Sequence, residues 1–293
     1  MKIVPITEML RKAEREGYGV GSFSARNTYL IDAVLRAAEY TASPVIVQIS
    51  ANEFSWFEVT AKEFANRFYQ VADNYRVEAS LHLDHTKDLS VIKDAIHAGF
   101  TSVMIDASQE EFEENIRITR EVAEYAHERG VAVEAELGKI GSTDKVETDS
   151  DESLYTDPDE AEEFVERTGV DTLAVSIGTA HGVYPVKNPK IDFRRLQDIR
   201  SKVSVPLVLH GGSGLPEETV QRAISVPGGG VSKINIATDL ERAFLSSLEC
   251  RRKINAEIWQ MDPVILEKAA GEVQKVVEKK IIHFVRSAGK GCI

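Results

Sequence analysis

The chain of 293 residues contains only two cysteines, Cys250 and Cys292. That is too few for a disulfide framework or a Cys-rich zinc site. No stretch approaches the ~18 uninterrupted apolar residues of a membrane span. The opening residues, MKIVPITEMLRKAEREGYG, hold no basic segment followed by a long apolar run. No secretory signal is therefore expected, and the chain reads as cytoplasmic, with no membrane partner. Positive charge is also scarce: 35 Lys and Arg face 47 Asp and Glu, a formal net charge of −12. A polyanion recruits a basic footprint, so nucleic acid is not the expected partner. An anionic small molecule is still allowed, but only with a local source of positive field.

With 43% hydrophobic residues, the chain has enough apolar material for a core. Short apolar runs alternate with longer amphipathic segments. The runs read as strands: Tyr18–Phe23, Val45–Ser50, Ala79–Leu83, Ser102–Ile105, Ala132–Glu136, Thr172–Ser176, Leu207–Leu209 and Ser232–Ile236. Helices are expected over Thr28–Tyr40, Leu89–Ala98, Glu111–Arg129, Pro158–Thr168, Phe193–Ser201 and Pro216–Ser225. Pro158 and Pro216 suit a first helical turn, where a missing N–H is harmless. Strands alternating with helices imply right-handed crossovers and a parallel sheet. About eight such units predict an α/β fold of the (β/α)8 TIM-barrel type, usually roughly 250 residues long. An open doubly wound sheet would normally carry a GxGxxG turn after its first strand. The stretch there, GVGSFSARN, lacks that spacing.

Two regions exceed the repeat. Residues 137–157 form a long acidic stretch after the fifth strand, which reads as a mobile loop. Residues 239–285 are mainly helical, with Pro263 marking a break between two helices, and are a candidate oligomer contact. Gly228–Gly230 falls between a helix and the last strand, so it reads as a loop insertion. Residues 1–293 are taken as a single barrel domain.

Active sites of such barrels lie at the C-terminal ends of the strands. Those ends carry Asp84 and His85, Asp106, Glu134 and Glu136, Gly178 to Gly182 with His181, His210 to Gly214, and Asn235, Thr238 and Asp239. A lone strand-end histidine is more often a hydrogen-bonded loop residue. His85, His181 and His210 on three strand ends match the three protein ligands of a catalytic zinc. His82, His97, His127 and His283 read as ordinary. His82 shares a strand face with Asp84, and His85 lies past the strand end. Gly211, Gly212 and Ser213 form a strand-to-helix turn, and Thr238 opens another helix. Backbone N–H groups in such turns cradle phosphate, although a tight turn with no ligand looks the same in sequence.

The motifs LHLDHT (Leu81–Thr86), MIDAS (Met104–Ser108), VEAELG (Val133–Gly138), IGTAHGVY (Ile177–Tyr184), LHGGSG (Leu209–Gly214) and KINIATDL (Lys233–Leu240) resemble the class II, zinc-dependent ketose-bisphosphate aldolases. The NIAT form is most similar to the tagatose-1,6-bisphosphate branch. The resemblance implies that His85, His181 and His210 hold a catalytic Zn2+ and that Asp84 handles the proton of the hydroxyl at the broken bond. It places Gly182, Gly211, Gly212, Ser213, Asn235, Ile236, Ala237 and Thr238 around dihydroxyacetone phosphate. Asp106 and Glu136 would lie behind the zinc, as a second or alternative metal site, and a monovalent cation (Na+ or K+) would sit near the phosphate. The loop acid of the family falls at Asp144, with Glu147 as a substitute. Where many members carry an Arg for the distal phosphate, this chain has Asp262-Pro263-Val264, leaving Arg26 as a candidate in its place.

The expected function is reversible retro-aldol cleavage of a tagatose- or fructose-type ketose (1,6-bis)phosphate. Its products would be dihydroxyacetone phosphate and an aldehyde such as glyceraldehyde 3-phosphate. The alternatives are a ketose 1-phosphate with a free distal end, a Schiff-base aldolase using Lys233 or Lys139, and a catalytically silent phosphosugar-binding subunit. The only other partner expected is a second copy of the chain, in a homodimer or homotetramer.

Overall fold

The computed structural model of the chain describes residues 2–142, 154–182, 184, 189–248 and 251–291. Eight strands form the barrel: β1 (Val20–Ser24), β2 (Val45–Ser50), β3 (Glu78–Asp84), β4 (Ser102–Ile105), β5 (Ala132–Leu137), β6 (Thr172–Val175), β7 (Leu207–Leu209) and β8 (Val231–Ile236). Each pairs in parallel with the next. β8 returns to β1 with Lys233 opposite Val20, which closes the ring. The expected (β/α)8 barrel is the fold, and the strand limits lie close to those read from sequence.

The pleat sorts the strand residues. Val45, Val47 and Ile49, Ala79, Leu81 and Leu83, and Val133, Ala135 and Leu137 alternate outward into one large apolar cluster with the helices. The intervening residues point inward, and many are polar: Ser22, Gln48, His82, Asp84, Glu134, Glu136, Lys233 and Asn235 are all buried. Branched aliphatic layers usually fill such a barrel. Here the interior is a hydrogen-bonded polar column continuous with the upper rim. The helix Ile6–Glu16 covers the opposite end, where Ile6, Met9, Leu10 and Ala13 pack on Val20 and Ile46 at the starts of β1 and β2.

The outer helices mostly fall where periodicity places them. Pro158 occupies a first turn capped by Asp157, whose carboxylate accepts from the N–H groups of Asp159 and Glu160. Pro216 instead sits just before its helix, Glu217–Ile224. Two helices between β2 and β3, Ala51–Phe57 and Ala61–Ala72, were not anticipated. Each begins with a reciprocal capping box, Ser50 with Glu53 and Thr60 with Glu63. The C-terminal region holds three helices, Thr238–Leu248, Asn255–Trp259 and Pro263–Lys279, where two were expected, followed by a π-helical turn. The extra break comes from Asn255–Trp259, a short helix buried chiefly through Ile258. Among the described residues no helix is long and apolar enough to cross a membrane.

Candidate active site

The C-terminal rim opens into a cavity of about 910 Å³. His85 reaches it through an unusual backbone. β3 ends at Asp84, and His85 takes φ 25°, a conformation rare for a residue with a side chain. The turn swings its ring over the barrel mouth, where Nε2 faces His181 Nε2 at 3.1 Å. Ring centroids of His85 and His210 are 4.5 Å apart. Ligand atoms of His85, His181 and His210 all lie within 4.8 Å of one another.

The outer nitrogens of two rings are fixed by carboxylates. His85 Nδ1 meets Asp106 Oδ2 at 3.0 Å, and His210 Nε2 meets Glu134 Oε1 at 3.0 Å. A carboxylate accepts, so each of these nitrogens carries the hydrogen. The remaining nitrogen of each ring is left to face the centre, the arrangement that orients metal ligands. Two nitrogens on one tetrahedral zinc stand roughly 3.3 Å apart, close to the His85–His181 separation. His210 Nδ1 and Glu136 Oε2 are buried 3.1 Å apart, yet neither has an aligned hydrogen-bond partner among the described residues. Orphaned buried polar atoms are uncommon. Three histidines, two of them backed by carboxylates, fit a divalent cation, and the overlapping group of His85, Asp106 and Glu136 offers a second arrangement.

The site is strongly polarised. Burial followed by the neighbouring His85 and His210 holds His181 down at about 3, so its ring is neutral. Burial alone would lower His210, but the hydrogen bond to Glu134 and the close Glu136 carboxylate outweigh it and raise the ring to about 10. Asp84 is buried, which would raise its carboxyl; the charges of His85, Lys233 and His210 outweigh this and hold it below its ordinary value. Its two oxygens also accept from Asn235 Nδ2 and Gln48 Nε2, both at 2.9 Å. Asp84 is therefore an oriented, ionised carboxylate at the cavity wall.

Below this level lies a second polar cluster, His82, Asp84 and Glu134. It already holds a cation. Lys233 Nζ donates to both oxygens of Glu134, at 2.9 and 2.8 Å, and contacts His82 Nε2 at 3.1 Å. Burial, then Lys233, pushes His82 down to about 3, so Nε2 accepts and Nδ1 donates to Ser102 Oγ at 2.8 Å. Lys233 is fully buried and does not line the cavity. All three of its ammonium hydrogens have partners, which removes it as a Schiff-base nucleophile.

Gly182, Gly211, Ser213, Asn235, Ala237 and Thr238 line the cavity, as the sequence placed them. Two glycines are demanded sterically. At Gly211, φ is +67° and a Cβ would fall 2.3 Å from the Ala180 carbonyl oxygen; at Gly212 it would fall 2.7 Å from the Asn235 oxygen. The N–H of Gly212 bonds to that same oxygen at 3.0 Å, so Gly212 ties the turn to β8 instead of lining the cavity. Ile236 also stands outside it, with its side chain in the apolar core. Ser213 Oγ accepts from the N–H groups of Ala237 and Asp239, which joins the two candidate phosphate turns. Tyr184 joins a third: its hydroxyl accepts from Ala180 N at 2.8 Å and donates to Gly211 O at 2.9 Å.

Asp144 and Glu147 lie outside the described residues. Val264 does not line the cavity. It is 78% exposed on the first turn of Pro263–Lys279, a helix packed on Leu30–Tyr40 and Thr238–Leu248. Arg26 does reach the cavity, with Glu53, Trp56, Glu241 and Arg252, of which only Arg26 was anticipated. Arg26 follows β1, Glu53 and Trp56 lie on the helix after β2, and Glu241 and Arg252 lie on and just beyond the helix after β8. Of the four that were missed, Glu53 alone had a signal in the sequence, the S-x-x-E spacing of the capping box it forms with Ser50.

A (β/α)8 barrel with three histidines and an ionised carboxylate at its C-terminal rim is suited to metal-assisted acid–base chemistry. Comparison with known proteins agrees. The family model "Fructose-bisphosphate aldolase class-II" matches residues 4–290. A fructose-bisphosphate aldolase of Geobacillus stearothermophilus is 40% identical over 99% of this chain and 98% of that protein. Among solved structures, the YdjI aldolase of Escherichia coli K12 has a TM-score of 0.84 at 34% identity, covering 99% of this chain and 100% of that one. The fructose-bisphosphate aldolase (Fba) of Campylobacter jejuni has a TM-score of 0.80 at 26% identity, covering 98% and 97%. The chain belongs to the class-II fructose-bisphosphate aldolase family and is an aldolase, a carbon–carbon lyase of carbohydrate metabolism.

Proposed function

We propose that the chain catalyses reversible, zinc-dependent cleavage of a ketose phosphate of the tagatose- or fructose-bisphosphate type, giving dihydroxyacetone phosphate and an aldehyde. The observation that carries this is the convergence of His85, His181 and His210 beside the ionised Asp84. Zinc at the three histidines would act as a Lewis acid for the charge that develops when the bond breaks.

The remaining work falls to the protein's own side chains. Asp84, aimed by Gln48 and Asn235, takes the proton of the hydroxyl on the aldehyde side during cleavage and returns it during condensation. Glu134 and Asp106 hold two histidine rings at the required orientation. The turns that carry Gly182, Gly211, Ser213 and Thr238 would offer backbone donors to the phosphate. A monovalent cation beside that phosphate, the loop acid Asp144 or Glu147, and a homodimer or homotetramer built through residues 239–285 belong to the same proposal.

The test is cleavage of tagatose and fructose bisphosphates and their 1-phosphates, measured after exhaustive chelation and after zinc is returned. Activity should vanish with chelation and recover with zinc, and Asp84→Ala should fall by about 100-fold or more. Full activity in the chelated protein, or an unchanged rate in Asp84→Ala, refutes the proposal. Zinc binding with no cleavage of any ketose phosphate would favour the silent binding subunit.

A further inference from the structure

The outer part of the cavity is built from two arginines and two glutamates. Arg26 Nε lies 2.8 Å from Glu53 Oε1, and Arg26 Nη1 donates to Glu241 Oε2. The second oxygen of Glu241 accepts from Arg252 Nε at 2.6 Å. Glu53 is itself fixed, because its other oxygen accepts the Ser50 N–H at 2.9 Å in the capping box. The Arg252 guanidinium stacks 5.0 Å from the Trp56 ring, which is 48% exposed.

These contacts set the charge of the subsite. Burial raises the Glu53 carboxyl and the adjacent Arg26 opposes this; with both carboxylates ionised, the two guanidiniums are balanced. A phosphate dianion placed against Arg26 would also lie against Glu53 and Glu241, and like charges at that range are repelled. Lys87 also lines the cavity, but it is exposed at the rim, and one solvated ammonium gives little selection. A neutral polyol suits the set better. Its hydroxyls donate to the carboxylates and accept from the guanidiniums, and its C–H face packs on Trp56.

We propose that the Arg26–Glu53–Glu241–Arg252 cluster is a specificity subsite that receives an uncharged, hydroxylated aldehyde end instead of a second phosphate. This rests on the aldolase reading above and narrows it to ketose 1-phosphates whose distal end is free. Glu241 is the determinant, since it is shared by both arginines.

The experiment condenses dihydroxyacetone phosphate with aldehydes paired by terminal phosphate: glyceraldehyde with glyceraldehyde 3-phosphate, and erythrose with erythrose 4-phosphate. On zinc-loaded wild-type protein, kcat/KM should favour the unphosphorylated member of each pair by about tenfold or more. Glu241→Gln unbalances the subsite toward positive charge and should swing the ratio toward the phosphorylated member by about tenfold. Arg252→Gln should swing it the other way. The ratio is taken on one preparation, so partial misfolding cancels. Wild-type preference for the phosphorylated aldehydes, or a ratio that neither variant moves, overturns the inference. Exchange of the dihydroxyacetone phosphate α-proton with deuterium oxide, followed by NMR on the wild-type protein, needs no aldehyde. Exchange combined with the wrong aldehyde preference sinks the subsite alone. Absence of exchange sinks the aldolase reading and the subsite with it.

Discussion

Replacing Lys233 with Met tests whether the polar column inside the barrel is held by charge. The Lys233 ammonium and the Glu134 carboxylate are both essentially buried, joined by contacts of 2.9 and 2.8 Å. Removing the lysine leaves Glu134 ionised in the barrel interior, where the hydrogen bonds left among the described residues come from His210 at 3.0 Å and Thr172 Oγ1 at a marginal 3.4 Å, with His82 Nε2 at 3.9 Å. Breaking a buried pair from one side costs about 3–5 kcal/mol. Lys233→Met should therefore lose that amount in urea unfolding. The double variant Lys233→Met with Glu134→Gln removes both charges and keeps an acceptor for His210. It should recover at least half the loss, the coupling expected of groups in direct contact.

The loss also has a sign in pH. Burial would raise Glu134, but Lys233 and then His210 hold it well below the carboxylate range. In the wild type this stabilises the fold at neutral pH and is lost as pH falls below the ordinary value of 4.5. Without Lys233 the burial effect dominates and the carboxyl rises, so the ionised group is a cost that protonation relieves. The stability gap between variant and wild type should narrow between about pH 7 and about pH 5. A Lys233→Met protein within about 1 kcal/mol of wild type, or a gap that widens in acid, would refute the reasoning.

Gly211→Ala combines a left-handed φ of +67° with a Cβ 2.3 Å from the Ala180 carbonyl oxygen. The loop carrying His181 must move, which should cost about 2–4 kcal/mol in thermal unfolding and about 100-fold in kcat/KM; a fully active, equally stable variant would contradict this. Tyr184→Phe removes the bridge between Ala180 and Gly211. Stability should fall by about 1–3 kcal/mol. Because burial pushes Tyr184 up to about 12, the neutral-range pH profile should keep its shape, and a new inflection near neutrality would show that Tyr184 does more than hold the loops.

The barrel was legible because each strand is short, apolar on its outward face and bounded by polar or turn residues. Those boundaries also set the rim, so His85, His181 and His210 were found from position and residue type. The reading was weaker wherever a site depends on partners distant in the chain. Lys233 in β8 looked like a possible nucleophile until Glu134, 99 residues away, was seen to hold it. Ile236 and Gly212 belong to the right motifs, but the pleat and one backbone bond turn them away from the cavity. Val264, a position taken from motif alignment, lies on an exposed helical turn of this chain. The groups that do reach the outer cavity, Arg26, Glu53, Glu241 and Arg252, follow three different strands and are joined only by folding.

The net charge of −12 remains opposed to the proposed phosphorylated substrate at long range. Among the described residues, the cavity offers little to reverse it: Arg26 and Arg252 are bound to carboxylates, and Lys87 is a solvated ammonium at the rim. Capture must then be short-ranged. Among the described residues, the backbone N–H groups of Ser213 and Thr238 have no acceptor, while the neighbouring N–H groups of Ala237 and Asp239 are fixed by Ser213 Oγ. Such donors act within hydrogen-bond reach and leave the outer field of the protein unchanged. A basic cleft would lose kcat/KM steeply as salt rises; here the sign should reverse. Screening shortens to about 10 Å at 0.1 M salt, which removes repulsion from the distant carboxylates and spares the donors at the turn. Between about 10 mM and about 150 mM tetramethylammonium chloride, kcat/KM should hold or rise by about twofold. That salt supplies no small monovalent cation, so the same series in potassium chloride separates screening from specific cation binding. A steep fall in both salts would mean that long-range attraction brings the substrate in, and that the cavity carries more free positive charge than its ion pairs allow.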